Sequence, residues 1–157
     1  MLTKLEPANK HGVRRLTTND YETIGGFKRL KQTSVCGGSE CGTNKELVTK
    51  YTYWNDTHLP ETITKTNAIN SISQTVTYTY DAAGRKLSED GPLVGSNDAI
   101  FFRYDATGRQ TWEIQAVNQQ GHRVATKTTY RQEDNQVAKT EWGVLSSSTD
   151  TTLSVKL

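Results

Sequence analysis

Tyr80-Asp81-Ala82-Ala83-Gly84-Arg85 recurs 24 residues later as Tyr104-Asp105-Ala106-Thr107-Gly108-Arg109, and these two stretches set the expected architecture. An acid followed three residues later by glycine is what a type I turn closed by a left-handed residue requires. The Asp81 and Asp105 carboxylates can accept bonds from backbone N–H groups further along the turn. Gly84 and Gly108 take a positive φ without the steric penalty of a Cβ. Each copy therefore predicts a hairpin tip. Thr77-Tyr78-Thr79 precedes the first copy and Phe101-Phe102-Arg103 the second, which puts an aromatic two residues before each Tyr, on the same strand face.

Working outward, looser copies bracket the sharp ones. Tyr51-Thr52-Tyr53-Trp54-Asn55-Asp56 leads into Leu59-Pro60, Tyr21-Glu22-Thr23-Ile24-Gly25 keeps the acid and glycine, and Thr128-Thr129-Tyr130-Arg131 heads a last, degenerate unit. Asn118-Gln119-Gln120-Gly121 repeats the turn logic between copies, while Asp90-Gly91-Pro92 and Gly95-Ser96-Asn97-Asp98 mark a further connection. Period-two alternation flanks these turns. It groups Ile72, Val76, Tyr78 and Tyr80, then Ile100, Phe102 and Tyr104, then Trp112, Ile114 and Ala116, then Val124, Thr126, Thr128 and Tyr130. No helical period competes with it.

Two strands of about seven residues plus a turn and a short connection fill one period, so each repeat amounts to one hairpin. Such hairpins bury their apolar face only by stacking on neighbours. The expected fold is all-β: stacked hairpins in an open, curved antiparallel ribbon. The expected organisation is degenerate N-terminal strands over 1–34, a Gly/Cys loop insert over 35–46, repeat hairpins over 47–143, and a polar tail or truncated repeat over 144–157. The last rests on Ser146-Ser147-Ser148-Thr149-Asp150-Thr151-Thr152, which reads as a frayed end or a truncated next strand.

Composition agrees with a thin-cored β protein. Leu, Ile, Val and Phe make up only about a fifth of the 157 residues, a level at which disorder competes. Disorder, however, usually comes with high net charge, and here that charge is +2, with seven Tyr, three Trp and abundant Thr suited to half-buried pleated surfaces. So balanced a chain carries no field that argues for nucleic acid or an anionic membrane. It has no apolar run long enough for a membrane span, and its first residues lack the apolar core of a secretory signal. Cys36 and Cys41 have neither redox-motif nor metal-set spacing, leaving a local disulfide and two free thiols both open.

The Tyr-Asp-x-x-Gly-Arg stretches at Tyr80, Asp81, Gly84, Arg85 and at Tyr104, Asp105, Gly108, Arg109 resemble the repeat of the RHS/YD family of bacterial polymorphic toxins, insecticidal toxin complexes and animal teneurins. Cys36-Gly37-Gly38-Ser39-Glu40-Cys41-Gly42-Thr43, Ser88-Glu89-Asp90-Gly91-Pro92-Leu93 and Thr111-Trp112-Glu113-Ile114 also look like phrases of bacterial RHS proteins, so the likeness covers residues 35–143. It implies a β-ribbon that spirals into a shell and, in toxin-bearing members, encloses a C-terminal effector. It also implies a secreted or cell-surface parent protein, with further repeats and an enclosed toxin domain as partners. In such a wall the Tyr80 and Tyr104 rings are expected to fill the surface between strands, with Arg85 and Arg109 along aromatic faces or paired with acids. The closing Asp-Pro-x-Gly-type segment and the variable effector of many members are not found; Asp90-Gly91-Pro92 is not that segment.

No nucleophile-elbow, phosphate-loop or zinc-protease pattern occurs, and the expectation is a non-catalytic chain with no catalytic residues, no cofactor and no metal. His11, His58 and His122 lie in separate polar segments without ligand spacing and read as surface or turn residues. Asp81 and Asp105 are turn formers before they are a catalytic pair. The basic run Arg14-Arg15 and Lys28-Arg29-Lys31 is diluted by Glu22, Glu40 and Glu46 and reads as a solvated face. Asn55-Asp56-Thr57 fits the N-glycosylation pattern by chance, with Asn55 and Asp56 forming a turn. The ambiguous feature is the aromatic series Tyr51, Tyr53, Tyr78, Tyr80, Phe102, Tyr104, Trp112 and Trp142, which fits packing between strands. The alternative is a carbohydrate-binding or adhesion module in which Trp54, Trp112 or Trp142 stacks on sugar rings.

Overall fold

A computed structural model describes residues 1–8, 14–37, 41 and 46–156, the side chains of 155 and 156 excepted. His11, residues 38–40 and 42–45 of the Gly/Cys segment, and Leu157 lie outside the described residues. The secondary structure is almost entirely strand: β1 (Leu2–Leu5), β2 (Arg15–Ile24), β3 (Phe27–Gly37), β4 (Glu46–Tyr53), β5 (Pro60–Asn67), β6 (Ile72–Tyr80), β7 (Lys86–Asp90), β8 (Ile100–Tyr104), β9 (Gln110–Val117), β10 (Arg123–Tyr130), β11 (Val137–Leu145) and β12 (Val155–Lys156). Among the described residues only Trp54–Asp56 is helical, as one short turn. The strands follow one another in an open sheet in sequence order. That is what short reversals between successive strands dictate. The chain divides into two units, Met1–Thr77 and Tyr78–Leu157, the division falling inside β6.

In the first unit β2 and β3 turn over at Gly25 and Gly26, whose φ values of 57° and 81° are open to glycine at little cost. The abundant Thr finds its use across β4, β5 and β6, where hydroxyls meet in pairs: Thr52 with Thr62 at 2.8 Å, Thr64 with Thr75 at 2.9 Å and Thr66 with Ser73 at 3.1 Å. Such pairs stabilise an antiparallel ladder without apolar burial. What is buried among the described residues of this unit is little: Leu16, Ser34 and Cys36. Cys36 and Cys41 form a disulfide, which resolves what their spacing left open.

The second unit has a true core, Trp112, Ile114, Ala125 and Leu145, joined by Phe101 and Leu153. Here the alternation holds for β9 and fails on its neighbours. Phe101, opposite Ile114, packs on the core rather than Ile100 and Phe102, and on β10 the buried positions are Arg123 and Ala125 rather than Val124 and Thr126. The reason is Arg123. Hydropathy assigns an arginine to solvent, but this one is only 5% exposed and donates to the carbonyls of Ala99, Gln115 and Ser96, with its guanidinium 5.0 Å from the Phe101 ring. A buried charge persists only when its donors are satisfied. Three carbonyls do so here and tie the 91–99 connection over the sheet.

Arg103 does the same for the polar stretch 146–152. It donates to the carbonyls of Asp150 and Ser148 and lies 5.3 Å from the Trp112 ring. The Asp150 carboxylate accepts from the amides of Ser146 and Ser147, and Ser154 returns to the Val144 carbonyl before β12 pairs with Gly143 and Val144. Residues 146–154 therefore form a pinned connection to β12. They do not fray.

Candidate functional site

The repeat residues come together in the second unit as a series of clasps, each built from the tip outward. At the first tip Asp81 Oδ1 accepts from the amides of Ala83 at 3.0 Å and Arg85 at 2.9 Å, while Oδ2 accepts from Arg85 Nε at 2.6 Å. Gly84 takes φ 77° to close the turn. At the second tip Asp105 makes the same bonds to the Thr107 amide, the Arg109 amide and Arg109 Nε, adds the Thr107 hydroxyl at 2.8 Å, and Gly108 takes φ 88°. Ala82-Ala83 and Ala106-Thr107 sit at the bends, as a turn reading demands.

The acids are held ionised. At Asp81 the Arg85 amide lowers the carboxyl pKa, burial opposes it, and the Arg85 guanidinium and Ala83 amide add to the lowering. At Asp105 burial works against ionisation, yet the Thr107 hydroxyl and the Arg109 amide and guanidinium hold the carboxyl well below the usual carboxylate range. Depression, not elevation, is the direction expected of turn-forming acids with several donors and unsuited to a general acid at neutral pH.

With its Nε fixed by the acid, each arginine is aimed at the next repeat. The Arg85 guanidinium lies 4.8 Å from the Tyr104 ring, and that of Arg109 lies 4.7 Å from the Tyr130 ring. Each reaches the carbonyl that opens the next tip: Arg85 to Asp105 at 3.5 Å, Arg109 to Arg131 at 3.3 Å. The tyrosine answers. Tyr104 donates its hydroxyl to the Lys86 carbonyl and Tyr130 to that of Gln110, both at 2.9 Å, the acceptor in each case following the arginine. A Cβ on Gly108 would stand 3.1 Å from the Arg85 guanidinium, so glycine serves the turn and clears the path of the clasp. Tyr80 is half-buried, and burial, with Tyr78 and Glu89 nearby, raises its pKa.

The first unit holds a clasp that the motif letters do not reveal. Tyr53 donates to the Leu30 carbonyl at 2.7 Å, again the residue after an arginine, and burial raises its pKa. Arg29 has no aspartate of its own; its Nε reaches the Thr57 carbonyl at 3.4 Å and its guanidinium lies 5.3 Å from the Phe27 ring. The turn after Tyr53 reverses through Asn55 and Asp56 at positive φ without glycine, as their reading as a turn requires. Sequence reasoning missed this pairing because its only trace is register, a tyrosine 23 residues beyond its acceptor.

Elsewhere the chemistry is sparse. His58 and His122 are exposed, and the described residues hold no group of three or more His, Cys, Asp or Glu able to bind a metal. Among the described residues no helix is long and apolar enough to cross a membrane. Of the tryptophans considered for sugar stacking, Trp112 is buried beneath Arg103 and Lys127, which removes it; Trp142 is 53% exposed. An open depression of about 510 Å³ in the first unit is lined by Glu6, Arg14, Arg15, Glu46, Leu47 and Ile69 among others. No family model and no curated protein matches the chain.

Proposed function

We propose that this chain is a non-catalytic structural segment of the RHS/YD-repeat type, whose work is to form part of a β-wall that encloses or presents a C-terminal effector of a larger bacterial, secreted or surface-borne protein. The observation that carries this reading is the clasp. One hydroxyl-to-carbonyl geometry shared by Tyr53, Tyr104 and Tyr130 serves to join hairpin to hairpin. The acids that a hydrolytic reading needs are spent on turn amides and arginines. Partners on this reading are further repeats and an enclosed toxin domain.

The test is to express the chain together with the sequence encoded on either side and to follow limited proteolysis. Additional Tyr-Asp-x-x-Gly-Arg copies and a C-terminal portion shielded from protease until the wall is cut are expected. Flanks without repeats, and no shielded portion, contradict the reading. The half-exposed Trp142 supports one other reading, a carbohydrate-binding surface. A glycan array with a hit abolished by Trp142→Ala favours it, and uniform silence retires it.

A further inference from the structure

The hairpin of β10 and β11 repeats the tip geometry but leaves its far side bare. The Arg131 amide donates to the Gln136 carbonyl at 2.8 Å, as Asp81 does to Arg85 and Asp105 to Arg109, both at 3.0 Å. Asn135 takes φ 60° where Gly84 and Gly108 take theirs. Val137 is the register partner of Tyr130 as Gln110 is of Tyr104, so Val137 occupies the place whose carbonyl, one hairpin earlier, accepts a tyrosine hydroxyl. Continued along the strands, the registers of β3 with β4, β7 with β8 and β9 with β10 put each clasp tyrosine one residue past the position facing its acceptor. The rule thus holds for all three observed clasps.

Among the described residues β11 is paired on its outer side only at Gly143 and Val144, while Val137, Ala138 and Lys139 are exposed. We propose that this edge takes up an extended, tyrosine-bearing segment antiparallel to β11, continuing the β11–β12 pairing, with the tyrosine hydroxyl donating to the Val137 carbonyl. Backbone bonds along the edge supply affinity and the hydroxyl fixes register, the usual division of labour in strand addition. The inference rests on the structural-repeat reading and adds the chemistry of the partner. It also ranks this edge as the weakest of the series. Gln136 stands where Arg85 and Arg109 stand, and Arg131 is held by Asp134 at 3.1 and 2.6 Å, so no guanidinium covers the incoming ring.

The probe is a synthetic peptide with the sequence of residues 125–130, part of the strand that already makes this contact with Gln110 and short enough to stop before the positions β12 occupies, added to the full 157-residue chain. Hydrogen exchange is expected to slow at the outward-facing amides of residues 137–139. A peptide with phenylalanine in place of its tyrosine is expected to bind roughly 3- to 10-fold more weakly, the worth of one hydrogen bond. Gln136→Arg is expected to tighten binding by about 2- to 5-fold through the restored cation over the ring. No added protection on β11, or equal affinity of the two peptides, overturns the proposal. Tyr104→Phe and Tyr130→Phe separate the two failures. If they destabilise the chain while the edge stays bare, the edge proposal falls alone; if they leave stability unchanged, the structural-repeat reading falls with it.

Discussion

The two units solve the same joining problem with different materials. The second has the whole clasp, with an acid that fixes an arginine, an arginine over a ring, and a ring hydroxyl on the carbonyl behind it, and it also has a buried cluster of Trp112, Ile114, Ala125 and Leu145. The first keeps only the last of these bonds, Tyr53 to Leu30, over little more than Leu16 and Cys36, and relies on paired threonine hydroxyls and a disulfide. The contrast separates what the repeat needs from what it prefers. The tyrosine bond survives loss of the aspartate, the glycine and the arginine's contact with the tyrosine ring, so it is the invariant of the joint, and the aspartate and arginine are its reinforcement.

The largest difference between the units is expected in their buried side chains. Ile114→Ala, at a position with no exposed surface, should cost about 2–5 kcal/mol in chemical denaturation. Leu16→Ala, at 8% exposure and outside the buried apolar cluster, should fall at or below the bottom of that range. Equal losses would mean that the first unit has a core the contrast denies it.

Glycines come next. Gly108→Ala meets both a positive φ and the Arg85 guanidinium and should cost about 2–3 kcal/mol. Gly26→Ala has a similar φ of 81° but open space around it, so it should cost only about 1–2 kcal/mol. Pairing Gly108→Ala with Arg85→Ala should recover part of the difference.

The hydroxyls sharpen the contrast. Tyr104→Phe, Tyr130→Phe and Tyr53→Phe should each lose about 0.5–1.5 kcal/mol, because the bond is common to both units. A null effect at Tyr53 alone would confine the joint to the second unit.

The smallest effect is one of pH. Asp81 and Asp105 are held below their ordinary value of 3.8, so in acid the unfolded chain takes up their protons first. Their contribution is complete above that ordinary value and drains away as the pH falls toward the folded one. A double variant Asp81→Asn, Asp105→Asn should flatten the acid limb of the stability profile, measured by denaturation as a function of pH, relative to the parent.

Much of this was legible in the sequence, and the exceptions have physical causes. Asp-x-x-Gly fixes a turn through local bonds, so both tips, the Asn118–Gly121 turn and the all-strand character could be read from neighbouring letters. Arg103 and Arg123 could not. Their charges read as solvent-facing, and only the folded 91–99 and 146–154 segments bring the carbonyls that make burial tolerable. That inversion turned the expected faces of β8 and β10 around. The Tyr53 clasp escaped for a related reason: its partner is set by strand register rather than by spacing within a motif. The disulfide lay between the two, since the spacing of Cys36 and Cys41 permitted it without requiring it.

The claim beneath all of this is that a tip's arginine acts on the ring of the following repeat. A double-mutant cycle of Arg85→Met and Tyr104→Leu, read by denaturation, measures that action directly. The clasp predicts a favourable coupling of about 0.5–1 kcal/mol between the two side chains. Additive losses, with no coupling beyond error, would contradict it and reduce the repeated motif to a series of independent turns.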